Sequence, residues 1–354
     1  MSVFLSRKYA ELSPYVPGEQ LSDKKYIKLN TNESPFPPSK KAQKRIKQSA
    51  KKLMLYSDPE CKALVSEFAK RYGVKKEQLI FTNGSDEVLN FAFMAYCDGD
   101  KGAVFPDITY GFYSVFAKIN CVNYKEIPLK DDFTIDIKDY FNANGTVFIA
   151  NPNAPTGIAL TLLEVEEILK NNPDNIVVID EAYVDFGNES AVSLIDKYDN
   201  LLVTQTFSKS RSLAGARLGV GIANERVISD LVKIKYSTNP YNVNAMTMSA
   251  GLGAIEDEEY FKKNCNEIIA NREWVTKELL DLGFTGTKST ANFIFVKSDK
   301  IGGEDLYLKL KAKGILVRYF NKARIKDYIR ITIGSKKQMQ ALVIAIKNIL
   351  EELK

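Results

Sequence analysis

The chain contains no histidine at all. That absence removes Ser-His-Asp and Cys-His nucleophile pairs and every histidine-ligated metal, so no metal site is expected and any general acid or base must be Lys, Tyr, Asp, Glu or Cys. Cysteine is scarce. Cys61, Cys97, Cys121 and Cys265 stand far apart with no C-x-x-C pairing, and read as small buried hydrophobes in a reducing compartment. No apolar run approaches the about 18 residues a membrane helix needs, and no basic segment followed by an apolar core opens the sequence. The expectation is a cytoplasmic protein with no membrane partner. Basic residues outnumber acidic ones only 49 to 44, a net charge of +5. The excess lies in patches such as 40–52 that read as a solvated helix face. They do not form a stripe interleaved with aromatics, so no nucleic-acid partner is expected.

What is present fits an ordinary enzyme: 354 residues, 26% charged and 45% apolar. A chain of this length exceeds a single core and predicts a second, smaller lobe. Residues 1–38 are rich in Pro, Ser and Asn with little periodicity, and read as an extended arm that must lie against something. Helical spacing covers 40–55 and 60–72, the second closed by Gly73 as a C-cap. Short apolar runs follow at 78–82, 102–105, 146–150, 175–179, 201–205 and 218–222, most separated by helix-length segments. Continuous apolar strands alternating with helices predict an α/β fold, a largely parallel sheet covered on both faces. The pattern is helical from about Glu225 to Leu282. Strands at 293–296, 315–317 and 328–333, interleaved with helices at 304–313 and 336–353, predict a smaller α+β C-terminal lobe. The expected division is an arm at 1–38, a large domain at 39–255 and a small domain at 256–354.

A parallel sheet collects the residues at its carboxyl ends along one edge, where ligands bind. Four polar sets fall there. Asn83-Gly84-Ser85-Asp86 opens a helix with free backbone N–H groups and a hydroxyl, an anion site that is also what an ordinary N-cap looks like. Asn151 to Gly157 is a rigid turn. Asp180-Glu181-Ala182-Tyr183 ends the run Val177 to Ile179, and a buried aspartate there needs a cationic or proton-bearing partner. A protonated pyridine nitrogen is such a partner, with Tyr183 in reach of the ring's phenolic oxygen; a capping Asp with a packed Tyr is the plain alternative. The last set, Thr206 to Gly219, holds Thr206, Ser208, Lys209 and Arg217. A lysine past a buried strand end is placed to act as a nucleophilic amine, since desolvation and a neighbouring cation lower its pKa. Hydroxyls and an arginine beside it suit a phosphate. Read alone this stretch is equally a charged loop; with the other strand ends it meets the chemical requirement of a pyridoxal phosphate site.

The order Asn-Gly-Ser-Asp, Pro-Asn-x-Pro-Thr-Gly, Asp-Glu-Ala-Tyr, Ser-Lys-x-x-x-Leu-Ala-Gly-x-Arg-x-Gly resembles that of the fold-type-I, pyridoxal-phosphate-dependent aminotransferases over nearly the whole chain. Within them the chain is most similar to the class-II histidinol-phosphate aminotransferases, through Ser13 to Gly18, Leu29 to Pro35, Pro106 to Tyr113 and Ile329 to Gly334. The resemblance implies a mainly parallel seven-stranded sheet between helices, a smaller C-terminal domain, and a cytoplasmic homodimer of histidine biosynthesis. It implies transamination between histidinol phosphate and 2-oxoglutarate, giving imidazole-acetol phosphate and glutamate, with pyridoxal 5′-phosphate as cofactor.

By the same resemblance Lys209 would form the imine and shuttle the proton, Asp180 would keep the pyridine nitrogen protonated, and Tyr183 would bond the ring oxygen. Gly84, Ser85, Asp86, Thr206, Ser208 and Arg217 would hold the cofactor phosphate, and Tyr110 would stack on the ring. Tyr56 matches a tyrosine that reaches the phosphate from the other subunit. Arg330 would fork onto a carboxylate, a geometry lysine cannot reproduce, and with Arg318, Tyr15 and Asn32 would bind substrate. One departure is Ala154, where the family has an asparagine bonded to the ring oxygen; Asn153 beside it is the expected replacement. Related readings on the same scaffold are threonine-phosphate decarboxylase, an aromatic aminotransferase, and a non-catalytic cofactor-binding regulator. Retention of Lys209, Asp180 and Arg217 together argues against the last.

Overall fold

The computed structural model describes residues 4–10 and 12–353; positions 1–3 and 11 of the expected arm, and 354, lie outside them. The described residues of the arm carry one 3-10 turn at Arg7–Tyr9 and no other helix or strand before β1 (Ile27–Lys28). That strand pairs in parallel with β11 (Ile315–Leu316), so the arm lies against the C-terminal part of the chain. Helix α1 (Lys40–Ser49) starts at Ser39, whose side chain accepts from Ala42 N. It passes into a 3-10 turn at Ala50–Lys52 and does not continue to Leu55. Helix α2 (Lys62–Tyr72) ends on Gly73 at φ 68°, as the sequence predicts.

The central sheet has seven strands: β2 (Leu79–Thr82), β3 (Gly102–Pro106), β4 (Tyr124–Ile127), β5 (Gly145–Ala150), β6 (Val177–Asp180), β7 (Leu201–Thr206) and β8 (Gly219–Ala223). Their spatial order is β2-β8-β7-β6-β5-β3-β4, and only β8 runs antiparallel to its neighbours. Every residue of β2, β5, β6 and β8 is buried. This is why the runs show no alternation: helices cover both faces. Val177 and Ile179 pack in one layer with Leu64 and Phe68 of α2, Val165 and Ile168 of α5 (Leu162–Lys170), and Ala250 of α7 (Ala245–Ile255). Val178 and Phe148 point the other way, into α3 (Ser85–Tyr96), α4 (Phe112–Ile119) and α6 (Glu225–Thr238). Edge strand β4 has no counterpart among the predicted runs. Its Lys125 and Glu126 are exposed, and polar residues on an edge leave no apolar signature.

The long helical stretch after Glu225 is three helices, α6, α7 and α8 (Glu258–Asp281); Asn224 and Asn244 cap the first two through their side chains. Beyond it β9 (Phe284–Gly286), β10 (Phe293–Ser298), β12 (Arg318–Tyr319) and β13 (Tyr328–Thr332) form an antiparallel sheet in the order β12-β13-β10-β9. Helices α8, α9 (Gly303–Ala312) and α10 (Lys336–Glu351) pack with it around Ile268, Phe293, Ile331 and Ile346. The predicted run at 315–317 is strand β11, which pairs with the arm, and just beyond it β12, not predicted, pairs with β13. Among the described residues no helix is long and apolar enough to cross a membrane.

Candidate active site

Parallel register brings the four polar sets to one sheet edge. Ala150, Asp180 and Thr204 lie side by side across β5, β6 and β7, and Gly219 at the start of β8 lies between Thr82 and Thr206. A cleft opens there, lined by Ser85, Asp86, Tyr110, Asp180, Tyr183, Thr206, Ser208, Lys209 and Arg217. It continues past Lys209 and Tyr183 to Tyr15, Asn32, Arg318 and Arg330.

Lys209 sits at the junction of the two ends. Its Nζ lies 3.4 Å from the Thr31 carbonyl. Burial, and then the nearby Arg330 guanidinium, pull the amine down to about 8, because both disfavour the charged form. Asp180, only 5% exposed, is pushed up to about 7, mainly by burial. Tyr113 donates to its Oδ2 at 3.1 Å. Its Oδ1 is buried with no hydrogen-bond partner. A buried acceptor left so costs roughly 1–3 kcal/mol, and this one belongs to a residue that lines the cleft.

The anion end is built on two close backbone approaches. Gly84 (φ 84°) precedes α3 and no side chain caps the helix, so its first N–H groups face an anion site. A Cβ on Gly84 would come within 2.6 Å of Arg217 Nη2, and one on Gly219 within 2.2 Å of Ser85 N and 2.4 Å of Gly84 C. Only bare backbone lets Arg217, itself at φ 56°, lie over the helix start. Arg217 pairs with Asp86 at 3.1 Å and donates to Ser208 Oγ at 3.4 Å. Thr206 Oγ1 donates to Ser208 Oγ at 3.0 Å, and Tyr110 OH to Asp86 at 2.7 Å.

At the other end, Asn32 Nδ2 donates to Tyr183 OH at 2.9 Å, while Asn32 Oδ1 accepts from Thr332 Oγ1 at 3.0 Å. Arg330 lies between the rings of Phe293 and Phe320, at 5.3 Å and 5.6 Å. It spends one N–H on the Asn30 carbonyl at 3.0 Å, and its buried Nε has no partner. Arg318 grips the arm, donating to the Pro17 and Val16 carbonyls at 3.1 Å and 3.0 Å. Tyr15 stacks on Phe112 at 4.3 Å.

Two expected side chains, those of Asn153 and Tyr56, do not line the cleft. The structure places Asn153, the expected replacement for the asparagine missing at Ala154, with its amide bonded to its own turn and to Ile108, outside the cleft lining. Its amide donates to Ile108 O at 2.9 Å and Thr156 Oγ1 at 3.1 Å, and its Oδ1 accepts from Thr109 at 2.7 Å. The turn itself uses the whole group, and Ala154 is the residue that lines the cleft. Tyr56 is 85% exposed and stacks on Tyr241 at 4.7 Å, outside the lining of its own chain's cleft. Sequence reasoning missed Tyr113 as the donor to Asp180. The signal is slight: Tyr113 lies in α4 three residues after Tyr110, which precedes the helix, and only the fold brings the two rings edge to face at 5.7 Å.

The family model for class I and II aminotransferases matches residues 24–346. The histidinol-phosphate aminotransferase of Brachyspira hyodysenteriae is 53% identical over 353 residues, covering 99% of this chain and all of that protein. That of Clostridium botulinum strain Kyoto is 48% identical over the full length of both. The chain belongs to the histidinol-phosphate aminotransferase family of class I and II aminotransferases. The fold of this aminotransferase is also that of a Sinorhizobium meliloti histidinol-phosphate aminotransferase solved with pyridoxal 5′-phosphate, with a TM-score of 0.90, 22% identity and full coverage of both chains. Its cleft contains no histidine side chain, and of the two lysines that line it, Lys209 and Lys322, only Lys209 borders both ends.

Proposed function

We propose that this aminotransferase exchanges an amino group between histidinol phosphate and 2-oxoglutarate, giving imidazole-acetol phosphate and glutamate, as a cytoplasmic enzyme using pyridoxal 5′-phosphate. The observation that carries the reading is one cleft in which a half-buried amine, Lys209, pulled down to about 8, separates an anion cradle from a cationic outer end. Identity of about half to named histidinol-phosphate aminotransferases supports the substrate.

The donor set fits the cofactor. Asp180 Oδ1 lacks a partner, as the acceptor for a protonated ring nitrogen must, and the cradle of Gly84, Gly219 and Arg217 is one that a Cβ would fill. When bound, pyridoxal phosphate supplies an aldehyde carbon for amines and an electron-withdrawing ring. Arg217, the first N–H groups of α3 and the hydroxyls of Ser85, Thr206 and Ser208 hold the phosphate by charge-assisted bonds. Asp180 would accept from the ring nitrogen and hold a proton on it, its carboxylate fixed by Tyr113. Tyr183 OH already accepts from Asn32, so its own proton is free to donate to the ring oxygen. Tyr110 covers the ring face. Lys209 Nζ, uncharged above about pH 8, would take the proton from the amino-bearing carbon of the substrate and hold it for return.

Arg330 presents free N–H groups to the carboxylate of glutamate or 2-oxoglutarate, and with Arg318 and Tyr15 to the phosphate of histidinol phosphate. Leu53, Met54, Leu55 and Tyr56 are consecutive and 53%, 81%, 67% and 85% exposed. Such a patch supports a homodimer in which Tyr56 reaches the phosphate end of the partner's cleft. Light scattering at micromolar concentration is expected to give twice the chain mass; one chain mass removes this part of the reading.

The substrate is tested by mixing holoenzyme with one amino donor at a time and following conversion of the cofactor to its amine form by absorbance. Histidinol phosphate and glutamate are expected to convert it. Conversion by phenylalanine but not histidinol phosphate points to the aromatic enzyme, and carbon dioxide released from threonine phosphate points to the decarboxylase.

A further inference from the structure

Between β12 and β13 the chain crosses the outer end of the cleft in a short loop. Phe320 begins it, its ring 5.5 Å from the Arg318 guanidinium and 5.6 Å from that of Arg330. Lys322 follows in a tight turn, its N–H donating to the Phe320 carbonyl and its own carbonyl accepting from Ile325 N, both at 2.9 Å. It lines the same cleft as the two arginines. Among the described residues its amine has no hydrogen-bond or ion-pair partner. Arg324 turns the other way. It donates from Nη1 to Asp107 Oδ2 at 3.0 Å, and from Nη2 to the Leu129 and Lys130 carbonyls at 2.8 Å and 2.9 Å. Ile325, 2% exposed, packs with Ile108, Leu129, Phe133 and Phe295. Asp107 lies three residues before Tyr110, so the clamp joins the loop carrying Lys322 to the loop that carries the ring-covering tyrosine.

We propose that Lys322 is a third cation of the substrate end, reading the second negative charge of a doubly charged substrate, and that Arg324 is the positioning residue that presents it. The chemistry calls for one. A phosphate monoester carries about −1.5 to −2 charge at pH 7, and 2-oxoglutarate carries a second carboxylate. Arg318 has given two donors to the arm and Arg330 one to Asn30, whereas all three N–H groups of Lys322 are free. A three-acceptor fork such as that of Arg324 is one lysine cannot copy.

The inference rests on the transaminase reading, so wild-type holoenzyme is assayed first: if histidinol phosphate fails to convert the cofactor, that reading is what falls. Given a working enzyme, Lys322→Met is expected to raise KM for histidinol phosphate and 2-oxoglutarate about three- to tenfold, with kcat within about twofold and a weaker dependence on salt. KM for the singly charged phenylpyruvate should not change, and Lys322→Arg should restore most of the loss. Arg324→Met should have the same selective effect, and the double variant should be no worse than the poorer single one, since both act through one contact. An unchanged KM in Lys322→Met, or an equal rise for phenylpyruvate, overturns the role of Lys322. A rise in Arg324→Met that adds in full to that of Lys322→Met overturns the positioning role of Arg324.

Discussion

Replacing Lys209 with alanine is expected to lower kcat at least about 10⁴-fold while leaving the phosphate cradle intact, because the variant loses the amine base between the cleft's two ends as well as the covalent attachment point. Borohydride treatment separates these roles from damage to the fold. The reduced wild type should keep its cofactor through denaturation, and reduced Lys209→Ala should release it. Retention by the variant sinks the assignment. The pH dependence has a definite sign. Lys209 is pulled down to about 8 from an ordinary 10.5, so the uncharged amine, and with it the rate, should increase as pH rises through about 8. The stability effect runs with it. Below about 8 the folded protein carries a half-buried charged amine whose whole desolvation cost is present. Between about 8 and 10.5 the unfolded chain binds more protons than the folded one, so the cost shrinks. Cofactor-free Lys209→Ala should therefore melt above wild type at pH 7, and the gap should close as pH approaches 10.5.

Most of this site was legible because a parallel sheet turns sequence order into spatial neighbourhood. Once β2, β5, β6 and β7 were recognisable as buried apolar runs, the residues that follow them, Ser85, Asp180 and Lys209, had to share an edge. Arg217 came with them because β8 starts on that edge and returns antiparallel. What was not legible depends on contacts rather than position. Asn153 is adjacent to Ala154, but side-chain direction within a turn is decided by hydrogen bonds, and here Ile108, Thr109 and Thr156 hold the amide inside the loop. Tyr113 stands 67 positions from Asp180 in sequence, and only the fold brings its hydroxyl to that carboxylate. Strand β4 stayed hidden because an edge strand is selected for polar residues as much as for apolar ones. Helix α1 stops at Ser49 although the apolar spacing runs on to Leu55; Leu53, Met54 and Leu55 are exposed within the chain, so their spacing does not report burial within it.

Asp180→Asn should produce two opposite effects, and their combination is what tests the site. Asparagine keeps the shape but no charge, so it cannot hold a proton on the ring nitrogen, and kcat is expected to fall about 10³-fold. Stability without cofactor should move the other way. Asp180 titrates at about 7 in the folded protein instead of 3.8, chiefly through burial. The folded state therefore binds more protons between those values, and stability falls as pH rises across that window; above about 7 the full cost of an ionised buried carboxylate is present. Cofactor-free Asp180→Asn should exceed wild type at pH 8 by up to a few kcal/mol, with the advantage gone near pH 4. Adding pyridoxal phosphate should reverse the order. The wild-type carboxylate then gains the partner that Oδ1 lacks, and the variant gains only a neutral contact. A variant less stable than wild type at pH 8, or one that turns over at a comparable rate, would mean that the carboxylate is held by the fold for packing. Stability without ligand has here been given up for a charge that only the bound ring neutralises, the trade expected where a buried group is kept for chemistry.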